Sequence, residues 1–228
     1  MTFINIPTEQ TTAVTDVLLA LVAASVCLLT LKAGAINNAK KGKIWGWAFG
    51  LLAFAALTGA IAHGFQMSKE LNYILWQPLN LALGLTVSLF VVGVILDLTT
   101  GSLPKYLLPL MISIGTLFYL VTLFFPGSFL VFILYEAVAM LFSLVVYIVL
   151  STRHRLQGAS LMAAGILITI IAAGIQASEA VHFQCIWEFD HNGIFHLVQI
   201  IGLLVLYAGL RLDLRDERRG MKDEGRKT

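Results

Sequence analysis

The apolar positions of this 228-residue chain fall into seven runs, at about 12–34, 43–65, 71–99, 103–125, 127–151, 158–184 and 192–214. Each is long enough for an α-helix to cross a hydrocarbon layer roughly 30 Å thick, which takes about 20 residues at 1.5 Å per residue. The period-two alternation of a membrane β-barrel is absent, so a helical bundle is the spanning structure that remains. The pattern predicts an all-α, polytopic membrane protein with seven transmembrane helices. Short connections leave no room for a second domain. Residues 1–11 read as a polar arm, 12–214 as the bundle and 215–228 as a basic tail.

Composition supports the pattern and charge orients it. Hydrophobic residues make up 58% of the chain and charged ones 12%, which excludes a soluble globule. With the N-terminus outside, the inner segments hold Lys32, Lys40, Lys41, Lys43, Lys105, Arg153, Arg155 and the tail from Arg211 to Lys227. Only Lys69, of 15 Lys and Arg, then falls outside. The positive-inside rule gives an outer N-terminus and a cytoplasmic C-terminus, an integral multi-pass protein of the cytoplasmic or plasma membrane. The net charge of +2 is this asymmetry and no nucleic-acid patch, and the basic tail reads as a topology anchor that can touch anionic lipid. Met1 to Gln10 has no basic stretch, and the first run is too long for a signal peptide. Cys27 and Cys185 lie too far apart to pair and read as small apolar filler.

Against this apolar background each polar residue inside a run is a functional candidate, because polar groups in a membrane are costly. Asp16 lies about one turn inside the first helix, and His63 closes the second. Gly42, Gly46 and Gly50 give helix 2 a small-residue face for close packing, with Trp45 and Trp47 expected in the inner aromatic belt. Helix 3 opens with Asn72, Tyr73, Trp76, Gln77, Pro78 and Asn80. Tyr73 and Trp76 suit the outer belt, the amides suit hydrogen bonds between helices, and Pro78 suits a kink. Asp97 reads as an inner surface residue, and the 35–43 connection as a solvated turn. Glu136, about nine residues into helix 5, sits roughly 14 Å deep, where a carboxyl must face the interior and be paired, hydrogen-bonded or protonated. Gln176, Glu179 and His182, spaced by three, fall on one face of helix 6. The densest polar stretch is Asp190 to Gln199, with His191, Asn192, His196 and Gln199, and Asn192 suits the N-cap of helix 7.

Thread order gathers these positions. Odd-numbered helices run inward and even-numbered ones outward, so the end of helix 2, the start of 3, the end of 6 and the start of 7 share the outer leaflet. A polar cavity opening outward follows, while the inner halves hold hardly any comparable residues. His63, His182 and His196 come from three helices with carboxylates nearby, a plausible zinc set. A hydrogen-bonded polar core without metal is the plain alternative, and a b-type haem between two histidines a third.

The frame resembles the CREST superfamily, the seven-helix membrane hydrolases that include alkaline ceramidases and progestin/adiponectin-receptor-like proteins. The resemblance rests on the seven helices, on His63 near the end of helix 2, and on His196 within Ile194-Phe195-His196-Leu197-Val198. In that family a His-x-x-x-His pair opens helix 7, a serine precedes the helix 2 histidine by four residues, and an aspartate stands early in helix 3. Here those positions hold Asn192, Gly59 and Asn72, with His191 adjacent to Asn192. The resemblance implies a zinc site with His63 and His196, and the leading reading completes it with either His182, which has no counterpart in that family's pattern, or His191. In that reading Glu179 or Glu136 is the base that takes a proton from metal-bound water. Asn192, Asn72 and Gln199 would orient ligands or hold the oxyanion, with Gln77, Asn80 and Asp16 lining the pocket. The expected activity is hydrolysis of an amide or ester in a lipid or lipid-like substrate that enters from the outer leaflet. The Asn192 and Asn72 departures favour a second reading, a receptor-like binder of a lipid or small molecule without turnover. A transporter is disfavoured, since neither an internal repeat nor a pair of broken helices is visible.

Overall fold

A computed structural model describes residues 2–125, 130–178 and 180–224, with side chains described as far as Arg215. It is built of α1 (Pro7–Asn37), α2 (Ala39–Gly64), α3 (Lys69–Leu98), α4 (Leu107–Thr122), α5 (Leu130–Thr152), α6 (Ala159–Ser178) and α7 (His191–Glu224). Two antiparallel ribbons close one end of the bundle. In the first, β1 (Thr2–Phe3) pairs with β2 (Phe65–Gln66), and in the second β3 (Phe183–Gln184) pairs with β4 (Glu188–Phe189).

Six helices are long and apolar enough to cross a membrane, and the chain is a multi-pass membrane protein. The exception is α4. Its 16 residues reach about 24 Å, short of a core about 30 Å thick. The turn before it explains the shortening: Thr100 and Gly101 adopt positive φ, and Pro104 follows before the helix begins at Leu107. Helix α6 also stops short of expectation, at Ser178, because the chain leaves it to form the β3–β4 ribbon.

Helices α1, α2, α3, α5, α6 and α7 form a closed ring by successive packing, and α4 leans on the outside of α3. Close approach is set by glycine where the helices meet. A Cβ on Gly42 would stand 2.4 Å from the Cα of Gly34, so the α1–α2 turn tolerates no side chain there. Large apolar side chains such as Leu21, Leu28, Val138 and Val145 face outward, the side on which lipid lies.

Two expectations fail inside the ring. Trp45 is fully buried instead of belted at a surface, with its ring edge-on to Phe90 at 4.9 Å and fitted against Gly93. Trp47, its neighbour, stays exposed. The end away from the ribbons is also not bare of polar groups. Lys41, expected in a solvated turn, is buried, as are Asp97 and Asp213. Lys41 Nζ lies 2.7 Å from Asp97 Oδ1 and also contacts Asp213 Oδ2, while Tyr147 donates to Asp97 Oδ2 at 2.7 Å. This knot draws α2, α3, α5 and α7 together. It forms because the Asn38 side chain caps the Lys41 amide and starts α2 early, which turns Lys41 inward.

A candidate polar site at the ribbon end

The start of α1 is fixed by the loops around it. Ile4 N donates to Gly64 O at 3.0 Å, and Phe3 stacks on Phe65. Gln10 reaches back to Ile4 O at 2.7 Å, and Thr11 donates to Glu188 O of the second ribbon at 2.6 Å. One face of α1 is thereby presented to the interior, carrying Glu9, Thr12, Thr15 and Asp16.

That face meets the start of α7. Asp190, directly before the helix, accepts from the Gly193 amide at 3.0 Å, from Thr12 Oγ1 at 3.0 Å and from Asn192 Nδ2 at 3.1 Å. Burial opposes its charge, but these three donors outweigh burial and hold the carboxyl below the usual aspartate range. Asp190 thus takes the capping place expected of Asn192. Because Asp190 only accepts, it also fixes the next groups in turn. Asn192 must present its oxygen to Gln176, whose Nε2 donates to it at 2.6 Å. Gln176 Oε1 is then left buried with no hydrogen-bond partner.

Two histidines are oriented by the same logic. Thr15 has one hydroxyl proton and donates it to Thr12 O at 2.9 Å. His196 Nδ1 lies 3.1 Å from Thr15 Oγ1, and its Nε2 lies 3.2 Å from Asp16 Oδ1, a distance bridged by either the imidazole N–H or a carboxyl proton. His63 Nδ1 is held by Glu9 Oε2 at 2.7 Å, which leaves Nε2 as its free nitrogen in the neutral ring. Gly59 makes room for Asp16: a Cβ there would stand 2.9 Å from Oδ2. Asp16 Oδ2 itself is buried without a hydrogen-bond partner.

Asp16, Gly59, His63, Gln176, Asn192 and His196 line one cavity of about 150 Å3, together with Glu136 on α5 and Gln199 on α7. Of the residues anticipated from the sequence, Asp16, His63, Glu136, Asn192, His196 and Gln199 are brought together here. Others are not. His182 lies beyond the end of α6 and is exposed, so it shares no helical face with Gln176. His191 sits half-buried at the start of α7, outside the lining. Asn72, Gln77 and Asn80 do not reach the cavity, and Gln77 bonds its own helix at Tyr73 O. From α3 it is Trp76 that enters, with its ring edge-on to His63 at 5.8 Å, where a surface belt position was expected. Glu179 falls outside the described residues. Glu9, Thr12 and Thr15 do not stand out individually in the sequence, and Asp190 enters there only as the start of the dense polar stretch. The usable signal was the spacing of Glu9, Thr12 and Asp16, which shares one helical face.

The chain matches the model of a family of unknown function (DUF6962) over residues 11–215. It belongs to that family. No curated protein and no solved structure matches it. The matched span reaches into all seven helices and takes in every residue that lines the cavity.

Among the described residues no three His, Cys, Asp and Glu side chains are already gathered as a metal site. The donor chemistry nevertheless suits one. An oxygen lies within 3.1 Å of Nδ1 in both His63 and His196, as in the outer shell of metal-ligating histidines, and Asp16 adds a carboxyl oxygen without a hydrogen-bond partner.

Proposed function

We propose that this protein is a metal-dependent membrane hydrolase acting on an amide or ester of a lipid or lipid-like substrate. Zinc is the metal this donor set suits best, with His63, His196 and Asp16 as the ligands. Asp16 takes the place in that set assigned from the sequence to His182 or His191. The observation that carries the reading is the juxtaposition in one cavity of His63, whose Nδ1 is held by Glu9, and His196, whose Nε2 lies 3.2 Å from Asp16 Oδ1. When bound, zinc would polarise the substrate carbonyl and ease the loss of a proton from water.

The remaining chemistry belongs to the chain. Glu136, which lines the same cavity, accepts a proton from the attacking water on one carboxyl oxygen, leaving the other to bind substrate, and returns it to the leaving nitrogen or oxygen. Leu19, Ala55, Leu79 and Phe132 keep bulk water from the carbonyl. Asn192 is committed to Gln176 and Asp190, so its part is to hold the wall and not the oxyanion. The likeness to CREST proteins supports this reading through His63 and His196, which line one cavity from α2 and α7. On this reading all seven helices cross the membrane, the ribbon end faces outward and the C-terminus is cytoplasmic.

The gap between ligand groups supports a second reading, a binder of a lipid or small molecule without turnover. Elemental analysis of purified protein separates the two. Zinc at one equivalent, lost in a His63→Ala/His196→Ala double variant, is expected. Metal-free protein whose stability the double variant leaves unchanged would overturn the hydrolase.

A further inference from the structure

The cavity has an excess of acceptors that the metal alone does not use. Glu136 is 8% exposed and lines the cavity with no hydrogen bond or ion pair to any described side chain. Gln176 Oε1 is buried and partnerless, and its identity as oxygen follows from the chain of bonds that begins at Asp190. Gln199 Oε1 is likewise buried without a partner. These three oxygens come from α5, α6 and α7.

Several nearby donors are committed to other partners. Asn192 Nδ2 is on Asp190, Gln176 Nε2 on Asn192, and the Thr15 hydroxyl on Thr12 O. Tyr135, one residue before Glu136, turns its hydroxyl away to Ser88 and Gly84 O. Buried acceptors without donors are costly, so the group that fills the cavity must bring N–H or O–H donors of its own. An anionic headgroup is excluded, since it would meet the carboxyls of Asp16 and Glu136. The walls add Trp76, Phe132 and Phe195, and aromatic faces attract a cation.

We propose that the ligand of this cavity carries a primary ammonium group, bound by Glu136 with Gln176 and Gln199. An ammonium has three donors for these three acceptors and the charge that Glu136 complements. The cavity of about 150 Å3 admits a group of roughly six heavy atoms, the size of benzene, which fits a cavity of that volume. The substrate class is therefore an amine-bearing amide or ester with the ammonium a few bonds from the scissile carbonyl. This deepens the reading above and rests on the cavity being a ligand site, but not on zinc.

The test is calorimetric titration of the full-length, detergent-solubilised protein with butylammonium, with butan-1-ol and butyrate as neutral and anionic matches of like size. Each titration is run on chelator-treated and on zinc-loaded protein. Saturable binding of butylammonium, at least tenfold tighter than either match, is expected in both forms. Glu136→Gln should weaken it at least tenfold with an unchanged melting temperature, and Gln176→Leu should weaken it several-fold. Equal binding of butan-1-ol, no saturable binding, or a folded Glu136→Gln protein that binds like the parent would overturn the proposal. Zinc-loaded protein that ignores butylammonium sinks this inference and leaves the metal reading intact. Butylammonium binding by a protein that takes up no zinc does the reverse.

Discussion

At the scale of single residues, the site depends on groups that touch no ligand. Gly59 leaves the space that the Asp16 carboxylate fills, and a methyl there would press on Oδ2 from 2.9 Å. Gly59→Ala should displace Asp16, cost about 1–3 kcal/mol of stability through overpacking, and abolish stoichiometric zinc. Chemical unfolding and elemental analysis on the same preparation read both effects. Thr15→Val keeps the shape but removes the hydroxyl that lies 3.1 Å from His196 Nδ1 and orients the ring. Loss of such an outer-shell partner typically weakens metal binding by about 10–100-fold, so competition against a zinc chelator should show a weakening in that range. A fold loss without a shift in zinc affinity would show that Thr15 serves packing alone. Asp190 supplies a pH signature. Its folded-state carboxyl lies below the usual aspartate value, so its stabilisation is present above a pH of about 4 and fades as pH falls through the folded value. The melting-temperature gap between the parent and Asp190→Asn should be full at neutral pH and shrink below about pH 4. A gap that is constant with pH would assign the loss to hydrogen-bond geometry instead of charge.

At the scale of elements, the opposite end of the bundle makes the sharpest demand. Lys41 is the cation shared by Asp97 and Asp213, and these side chains join α2, α3 and α7, with α5 attached through Tyr147. Removing one member of a buried ion pair commonly costs about 3–5 kcal/mol, so Lys41→Met should destabilise strongly, while Tyr147→Phe, losing one hydrogen bond, should cost about 1–3 kcal/mol. Denaturant unfolding in detergent orders the two, and the reverse order would make Tyr147 the anchor. This end also shows where sequence reading stops. Hydropathy counts apolar residues over a window, and the positions of seven helices were legible that way. It carries no direction, so Lys41 and Asp97 read as solvated because charge at a helix end usually is. Trp45 and Trp47, two residues apart, looked alike and face opposite ways. His182 was misplaced for a different reason: periodicity ran on through Ser178 into a stretch that forms a ribbon. The cavity residues His63, His196, Asp16 and Glu136 were legible because thread order brings helix ends together whatever the angles between helices. Which acceptor holds each imidazole was not, since Glu9 and Thr15 look unremarkable until α1 is seen against α2 and α7.

At the scale of the molecule, the ring of six helices closes without α4, and the orientation of that ring decides what the cavity meets. The ribbon end carries Cys185, which is exposed, and the far end carries the exposed Thr100 in the turn before α4. By the thread order of the sequence, 14 of 15 Lys and Arg belong to the segments opposite the ribbon end, and the positive-inside rule predicts that the ribbon end faces out. The prediction follows directly. In intact cells a membrane-impermeant maleimide should label Cys185, should leave Cys27 within α1 unmodified, and should reach a Thr100→Cys thiol only after permeabilisation. Labelling of Thr100→Cys in intact cells, with Cys185 silent until permeabilisation, would invert the protein. The inversion would matter for chemistry as well as topology. Asp16, His63, Glu136 and His196 would then face a pool of cytoplasmic lipid amides and esters in place of the outer leaflet, and the Lys41 knot would stand on the external face. Because the cavity is lined from the ribbon-side halves of α1, α2 and α7, it belongs to whichever leaflet the ribbons cover. A single pair of cysteine labels thus fixes which pool of substrates the site can sample.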